Sequence, residues 1–466
     1  VQQLAPKDAW FLYADRPASR QAFISAYAFF PDPVPPTRDE IVRWFASRVD
    51  LPLLRQRIVR VPLDLDHPYL VEDPDFALSR HLHFHDAMGW DDLRAALAGL
   101  AAEPMDQTKP LWELHVVDRV DGFPGRDRPA TVAAIKLHHA MADGIASSQV
   151  TTAFFGATAD AVAPDAGESP GARVASGAEL VGRAIAATPR TVLRVVSGAR
   201  QAREARRRVA ADRERGEYPV PPLRRPRTVL DGPIGPARAY RVEFFSLSEL
   251  QEVKARLGEV TVNDVVLSIV GGAMRGYLAE RGESVDGSLA AGVPMTVRFD
   301  RGRGPVNNQF VMMSVDLGTD IADPVERLRH VHRAVLGERS RMRSDAEVEL
   351  FESSLALPGW MFRVARRVRD SRPPDPDTVL LSNTFVTSVP RRTTDLQLCG
   401  ARAEASFGLS TLDGSGTSHS VGSTGDVYAL NITADPLVLR DPARYAELIR
   451  RSYDELRETA LALSTS

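Results

Sequence analysis

An apolar run rich in β-formers, Thr131 to Leu137, passes at once into His138-His139-Ala140-Met141-Ala142-Asp143-Gly144. A helix-compatible stretch from Ile145 to Phe155 follows. A strand that ends in a short polar turn and restarts as a helix confines the chain to α/β architectures. Such junctions are also where α/β proteins commonly place chemistry. Two adjacent imidazoles followed by Asp-Gly point to one ring poised to take a proton, because an ordinary histidine pKa of ~6.5 suits that task at neutral pH. Metal chelation fits poorly. Residues i and i+1 point away from each other, and no HExxH or Cys/His ligand set accompanies the pair. No metal is expected.

The chain has 466 residues, 44% hydrophobic and 26% charged, an ordinary globular balance long enough for two domains. Its net charge of −3 offers no global attraction to nucleic acid, so none is expected as a partner. The single cysteine, Cys399, rules out an internal disulfide framework and fits a reducing compartment; it reads as a small buried hydrophobe. No run approaches 18 consecutive apolar residues. Val1-Gln2-Gln3-Leu4 lacks the basic region and apolar core of a signal peptide.

Residues 1–160 read as a first α/β unit. Thr37 and Glu40 form a capping box before Ile41, Trp44, Phe45 and Val49. A second helix is predicted around Trp90, Leu93, Leu97 and Leu100. Trp112 reads as a core anchor, and Glu113 and His115 as packing or salt-bridge residues. Residues 161–238 form an arginine-rich connector, with a helix from Glu179 to Arg215 that suits either solvent or an anionic membrane surface. The second unit, 239–466, offers a capping box at Ser246 and Glu249 with Gly258 as a stop, and another at Thr261 and Asp264. Strands are predicted near 289–297, 309–317, 378–389 and 427–433, with a closing helix from Pro442 to Leu463. Asp413-Gly414-Ser415-Gly416-Thr417 lacks a phosphate-loop pattern and reads as a flexible loop.

HHxxxDG resembles the signature of the CoA-dependent acyltransferase superfamily, which includes chloramphenicol acetyltransferase and peptide-synthetase condensation domains. The flanking blocks narrow the likeness. Pro104-Met105-Asp106-Gln107-Thr108-Lys109-Pro110-Leu111-Trp112-Glu113 is similar to the PLDxxxPLWE block of bacterial wax ester synthase/diacylglycerol acyltransferases. Asp8-Ala9-Trp10-Phe11-Leu12-Tyr13 is similar to their DxxFLY. Val262-Asn263-Asp264-Val265-Val266-Leu267 resembles their NDVVL block, and Val293-Pro294-Met295-Thr296-Val297-Arg298 their VPVSVR-like segment. Ser382-Asn383 resembles the start of a late SNVPGP block. The blocks run in order from about residue 4 to about residue 450. Two departures stand out: the late block lacks its Gly-Pro pair, and Asn307-Asn308 replaces a Gly-Asn.

The resemblance implies an α/β fold of two chloramphenicol-acetyltransferase-like halves, each a mixed β-sheet with helices, with the active site at their interface. It implies direct acyl transfer from acyl-CoA, a substrate, to diacylglycerol or a long-chain alcohol, with no cofactor. It assigns the base to His139, with His138 orienting the turn. Asp143 either polarises the base or makes a structural salt bridge, for which Arg298 is the candidate partner. Gly144 permits a tight turn. Asp264 can be explained as a helix cap, while Asn263 could present its amide to the oxyanion or the acceptor. A cytoplasmic protein attached peripherally to the inner membrane face or to lipid droplets is implied. Two other readings stay open: an acyltransferase using another hydroxyl or a carrier-protein-bound donor, and a non-catalytic lipid- or CoA-binding protein.

Overall fold

The strand that carries the histidines, Ala130–His138, is buried along its whole length. It lies inside a seven-stranded sheet, between Ala22–Phe29 and Trp112–Asp121. A strand covered on both faces needs apolar side chains at most positions, which is why 131–137 reads as a nearly continuous apolar run, interrupted at Lys136, which lies beside Glu113. The protein is described here from a computed structural model covering residues 2–31, 34–142, 144–157, 177–218, 225–284, 286–296, 310–355, 358–370, 380–388 and 395–463.

One face of this sheet is covered by the helices Arg38–Ala46 and Gly144–Phe155. Phe45, Phe154 and Phe155 are fully buried there beside Trp112. The Trp112 indole N–H donates to the Leu54 carbonyl at 2.8 Å, so the largest core side chain also has its polar atom satisfied. The helix Trp90–Ala102 covers the opposite face. The capping box at Thr37 forms in both directions.

The second sheet runs in the order 310–316, 290–296, 384–388, 417–424, 427–434, 239–246, with parallel and antiparallel pairs. The helices Val262–Ala279 and Pro442–Ala462 pack over it around Val265, Ile269, Met274, Leu448 and Tyr453. Two mixed sheets with helices are thus the architecture that the motif blocks implied. A small third sheet joins 2–3, 69–72 and 56–59.

Two local expectations are corrected. The box at Ser246 closes on one side only. Ser246 Oγ accepts from the Glu249 N–H at 3.1 Å, but the Glu249 carboxylate accepts from the Tyr453 hydroxyl at 3.0 Å. The Asp413–Thr417 stretch is not a loose loop. Ser415 is buried and its hydroxyl donates to the Asn383 carbonyl at 2.6 Å, while Asp413 accepts from Ser19 Oγ at 3.1 Å. Its Ser and Thr hydroxyls are partners for buried polar groups rather than for water.

Sheet membership cuts across the sequence division at 239. The strand Ala401–Leu409, with Gln397–Leu398 at its edge, leaves the second half and pairs antiparallel with Ala22–Phe29. From there it faces the second sheet. The Gly408 N–H donates to both the Tyr240 hydroxyl and the Asn431 side-chain oxygen at 3.0 Å. Phe407, Ile24, Leu97, Tyr240 and Ala429 form one apolar cluster, so the halves share a core. Each fully buried large apolar side chain there contributes about 1.5–3 kcal/mol.

Gly408 makes this crossing possible. A Cβ at that position would lie 2.0 Å from the Ile24 carbonyl oxygen, a backbone atom that cannot swing away. Gly408→Ala should therefore destabilise the fold by about 1–3 kcal/mol, the usual cost of overpacking. Chemical denaturation measures this, and an unchanged midpoint would show that the strand does not tie the sheets together.

Candidate active site

The motif strand ends by handing its backbone to two neighbours. The His138 N–H donates to the Leu111 carbonyl at 3.1 Å and the His139 N–H to the Gln21 carbonyl at 2.9 Å. The Met141 N–H then closes a turn on the His138 carbonyl at 2.9 Å. The second histidine is thereby fixed at the sheet end, just ahead of the helix Gly144–Phe155.

The two rings face different surroundings. His138 is buried, and its Nδ1 accepts the Ala140 N–H at 3.1 Å. That bond leaves the proton on Nε2, which donates to Asp15 Oδ2 at 3.2 Å. Arg20 holds the other Asp15 oxygen at 3.0 Å. Burial raises the Asp15 carboxyl, but hydrogen bonds from His138 and Arg20 and the Arg20 guanidinium beside it outweigh that and hold the group below the usual carboxylate range. His138 is thus committed on both nitrogens and braces the turn.

His139 is partly buried, and its ring lies between Phe11, 4.9 Å away and near-parallel, and Phe23 at 4.7 Å. Burial among these rings pushes its pKa down from 6.5 to about 3; the neighbouring His138 adds to the shift and the Ala142 backbone opposes it. The ring is therefore neutral at physiological pH and able to accept a proton. The Ala142 backbone favours the protonated state, so it stabilises the ring at the moment it becomes charged.

Asp143 and Arg298 lie outside the described residues, as do Asn307 and Asn308. Gly144 opens the following helix. Asp264 caps its own helix, its Oδ2 accepting the Thr261 N–H at 2.8 Å and His332 Nδ1–H at 2.9 Å. Asn263 is half-buried in the first turn of that helix, and its amide makes no hydrogen bond among the described residues. Behind the site, Glu113 lies 3.6 Å from both Lys109 and Lys136 and 3.5 Å from His115. Burial alone would raise its pKa, but His115 and the two lysines bring it down to about 2. This cluster balances a buried lysine. Among the described residues no group of three or more His, Cys, Asp or Glu could hold a metal ion.

Sequence reading missed the brace. Phe11 stands in the DxxFLY block, where it served only as a family mark. Asp15, Gln21 and Phe23 carry no local signal, because they meet the histidines only through tertiary contacts across more than a hundred residues.

Comparison with known proteins follows the same lines. The sequence model described as the wax ester synthase/diacylglycerol acyltransferase catalytic domain matches residues 4–266, and the one described as the WS/DGAT C-terminal domain matches 306–457. A Mycobacterium tuberculosis protein bearing the name diacylglycerol O-acyltransferase is 29% identical over 100% of this chain and 99% of its own length. A Mycobacterium bovis protein of the same name is 31% identical over 71% of this chain and 70% of its own. Among solved structures, the wax ester synthase/diacylglycerol acyltransferase from Marinobacter aquaeolei superposes with a TM-score of 0.66 at 19% identity, covering 98% of this chain and 100% of that one. The starter condensation domain of rhizomide synthetase, in complex with C8-CoA and Leu-SNAC, gives 0.53 at 14% identity, covering 99% and 94%. At these identities the structural likeness carries the fold.

The depressed His139 pKa has a signed consequence. The unfolded ring takes a proton near 6.5 and the folded ring only near 3, so stability falls as pH drops through that window. His139→Gln removes this contribution, and its melting temperature should fall less steeply than the parent's between those values. Parallel curves would contradict the assignment.

Proposed function

Because the chain belongs to the wax ester synthase/diacylglycerol acyltransferase family and is an O-acyltransferase, we propose that it moves a long acyl group from acyl-CoA to diacylglycerol or a long-chain alcohol, with His139 as general base. The observation that supports this reading is the neutral, desolvated His139 ring set between Phe11 and Phe23. Nε2 of His139 takes the hydroxyl proton as the acceptor oxygen attacks the thioester carbonyl. The C–O bond forms, the tetrahedral intermediate collapses and the C–S bond breaks. The proton passes to the CoA thiolate, leaving free CoA and an ester. No acyl-enzyme and no cofactor enter this scheme.

The remaining roles follow from position and chemistry. His138 and Asp15 are positioning residues that hold the turn. Asp143 is assigned a structural salt bridge with Arg298, which would leave a buried charge unpaired if either were removed, at about 3–5 kcal/mol. Asn263, whose amide makes no hydrogen bond among the described residues, is assigned to the oxyanion or the acceptor hydroxyl. Gly144 lets the backbone start the helix immediately after the motif. The aliphatic substrates place the working enzyme at the inner membrane face or at a lipid droplet. No single described helix is long and apolar enough to cross a membrane, so that attachment is peripheral in this reading.

Two measurements test the proposal. In a thiol-release assay with palmitoyl-CoA and either diacylglycerol or hexadecanol, His139→Ala should lose about 10²–10⁴-fold in kcat. A folded variant with full activity would remove His139 from the chemistry. For the parent, kcat/KM should show no inflection near pH 6.5, because the free ring is already neutral there. An acid limb centred on that value would mean that the ring is hydrated and ordinary.

A further inference from the structure

The 3-10 turn Pro62–Asp64 is an unusual place for a leucine. Leu63 adopts φ 59, ψ 11, the left-handed region that disfavours side chains with a Cβ, and it is 74% exposed. The next residue, Asp64, also has a positive φ, of 51, and is buried. What holds the turn is a clamp on the Asp64 carboxylate. Arg60 contacts it at 2.7 and 3.1 Å, and Arg363 at 3.0 Å. Arg363 also donates to the Leu63 carbonyl. Two arginines thus fix a strained backbone whose visible result is an apolar side chain projected into water. Strain of this kind persists where the surroundings over-determine it, and it clusters at functional sites.

The turn has two apolar neighbours. Arg363 belongs to the helix Gly359–Asp370, where Trp360, Val364 and Val368 recur every fourth residue and are 44%, 55% and 45% exposed. On the other side, Val61 packs against Leu180 and Ala184 of the helix Gly177–Glu214, which leaves Ile185 63% exposed. Exposed Arg183 and Arg367 stand on these two helices without an ion pair among the described residues. The more C-terminal arginines of the connector helix differ. Arg208 and Arg213 pair with Glu349 and Glu347 of the helix Asp345–Leu355, so their charge is spent within the protein.

We propose that Leu63, Ile185 and the Trp360–Val364–Val368 stripe form a docking face for an anionic lipid bilayer. The occupant follows from shape and charge. The apolar groups protrude from three separate segments rather than lining a groove. A tryptophan stands in the first turn of the helix Gly359–Asp370, and Arg183 and Arg367, without an ion pair among the described residues, share the two helices that carry Ile185 and the stripe. That is the pattern of a surface whose apolar tips enter the acyl boundary while cations meet phosphate headgroups. The face is also close to the chemistry. The helix Gly359–Asp370 rests on Tyr13, with Phe362 at 6.3 Å and Gly359 so close that a Cβ would fall 2.3 Å from the Tyr13 ring. Tyr13 is two residues from Phe11, which stacks on His139. A lipid acceptor leaving the bilayer would approach the helix Pro6–Ala14, which carries both Tyr13 and Phe11. This last step rests on the acyl-transfer reading; the docking face does not.

Co-sedimentation with vesicles of phosphatidylcholine, alone or mixed with phosphatidylglycerol, tests the face. The parent should bind the mixed vesicles more tightly. Leu63→Gly suits the left-handed turn and should keep or raise thermal stability, yet with Val364→Glu it should weaken vesicle binding by at least roughly tenfold. Arg183→Ala with Arg367→Ala should abolish the preference for phosphatidylglycerol. Thiol release with a short water-soluble alcohol should be unchanged in all of them. Undiminished vesicle binding by the folded Leu63→Gly/Val364→Glu protein overturns the proposal. So does a parent that ignores vesicles, or one that forms a dimer which this variant breaks, since the face would then serve a second copy. Vesicle binding without any thiol release would instead count against the acyl-transfer reading and leave the docking face standing.

Discussion

The structure depends on one arrangement: an imidazole kept neutral by aromatic burial at the end of a sheet strand. Every other feature of the site serves its position. The Gln21 carbonyl fixes its backbone, and the rings of Phe11 and Phe23 strip water from it. Desolvation disfavours the charged ring, so the resting state is the base rather than its conjugate acid. In the proposed reaction the cost falls on the transition state, in which the ring would carry a proton. The Ala142 backbone answers part of that cost.

The neighbouring histidine shows how environment divides two identical side chains. His138 has a carboxylate on one nitrogen and a backbone N–H on the other, so its tautomer and orientation are set. Its partner Asp15 is itself fixed by Arg20. The brace extends further. Gln21 donates to the Ser19 carbonyl and hydroxyl, and Ser19 reaches Asp413 in the second half of the chain. A chain of hydrogen bonds thus joins the second half to the strand end next to His139. The shared core around Phe407 and Tyr240 acts in the same direction.

Much of the fold was legible because its signals are local. The capping boxes at Thr37 and Thr261 form as their spacing implies. The motif strand reads as buried because its apolar residues are nearly continuous, and Gly258 ends its helix with φ 89. The failures share a cause. The placement of 401–409 in the first sheet, the buried role of Ser415 and the Asp15 brace are all set by pairing between distant segments. No residue in 401–409 carries a mark of the sheet it will join. Glu249 was assigned to its own helix cap, but a tyrosine two hundred residues away offers it a hydroxyl. The site followed the same rule. His138 and His139 announce themselves by adjacency, whereas Phe11 and Phe23 gain meaning only when the fold stacks them on the ring.

The most direct measurement is a pH titration of the His139 ring by nitrogen NMR in histidine-labelled protein, with the signal assigned through His139→Gln. The account predicts a neutral imidazole that does not titrate between pH 8 and about 5, because burial has moved its pKa to about 3. A ring that gains its proton with a midpoint near 6.5 would contradict it, and with it the claim that Phe11 and Phe23 hold a dry base in readiness.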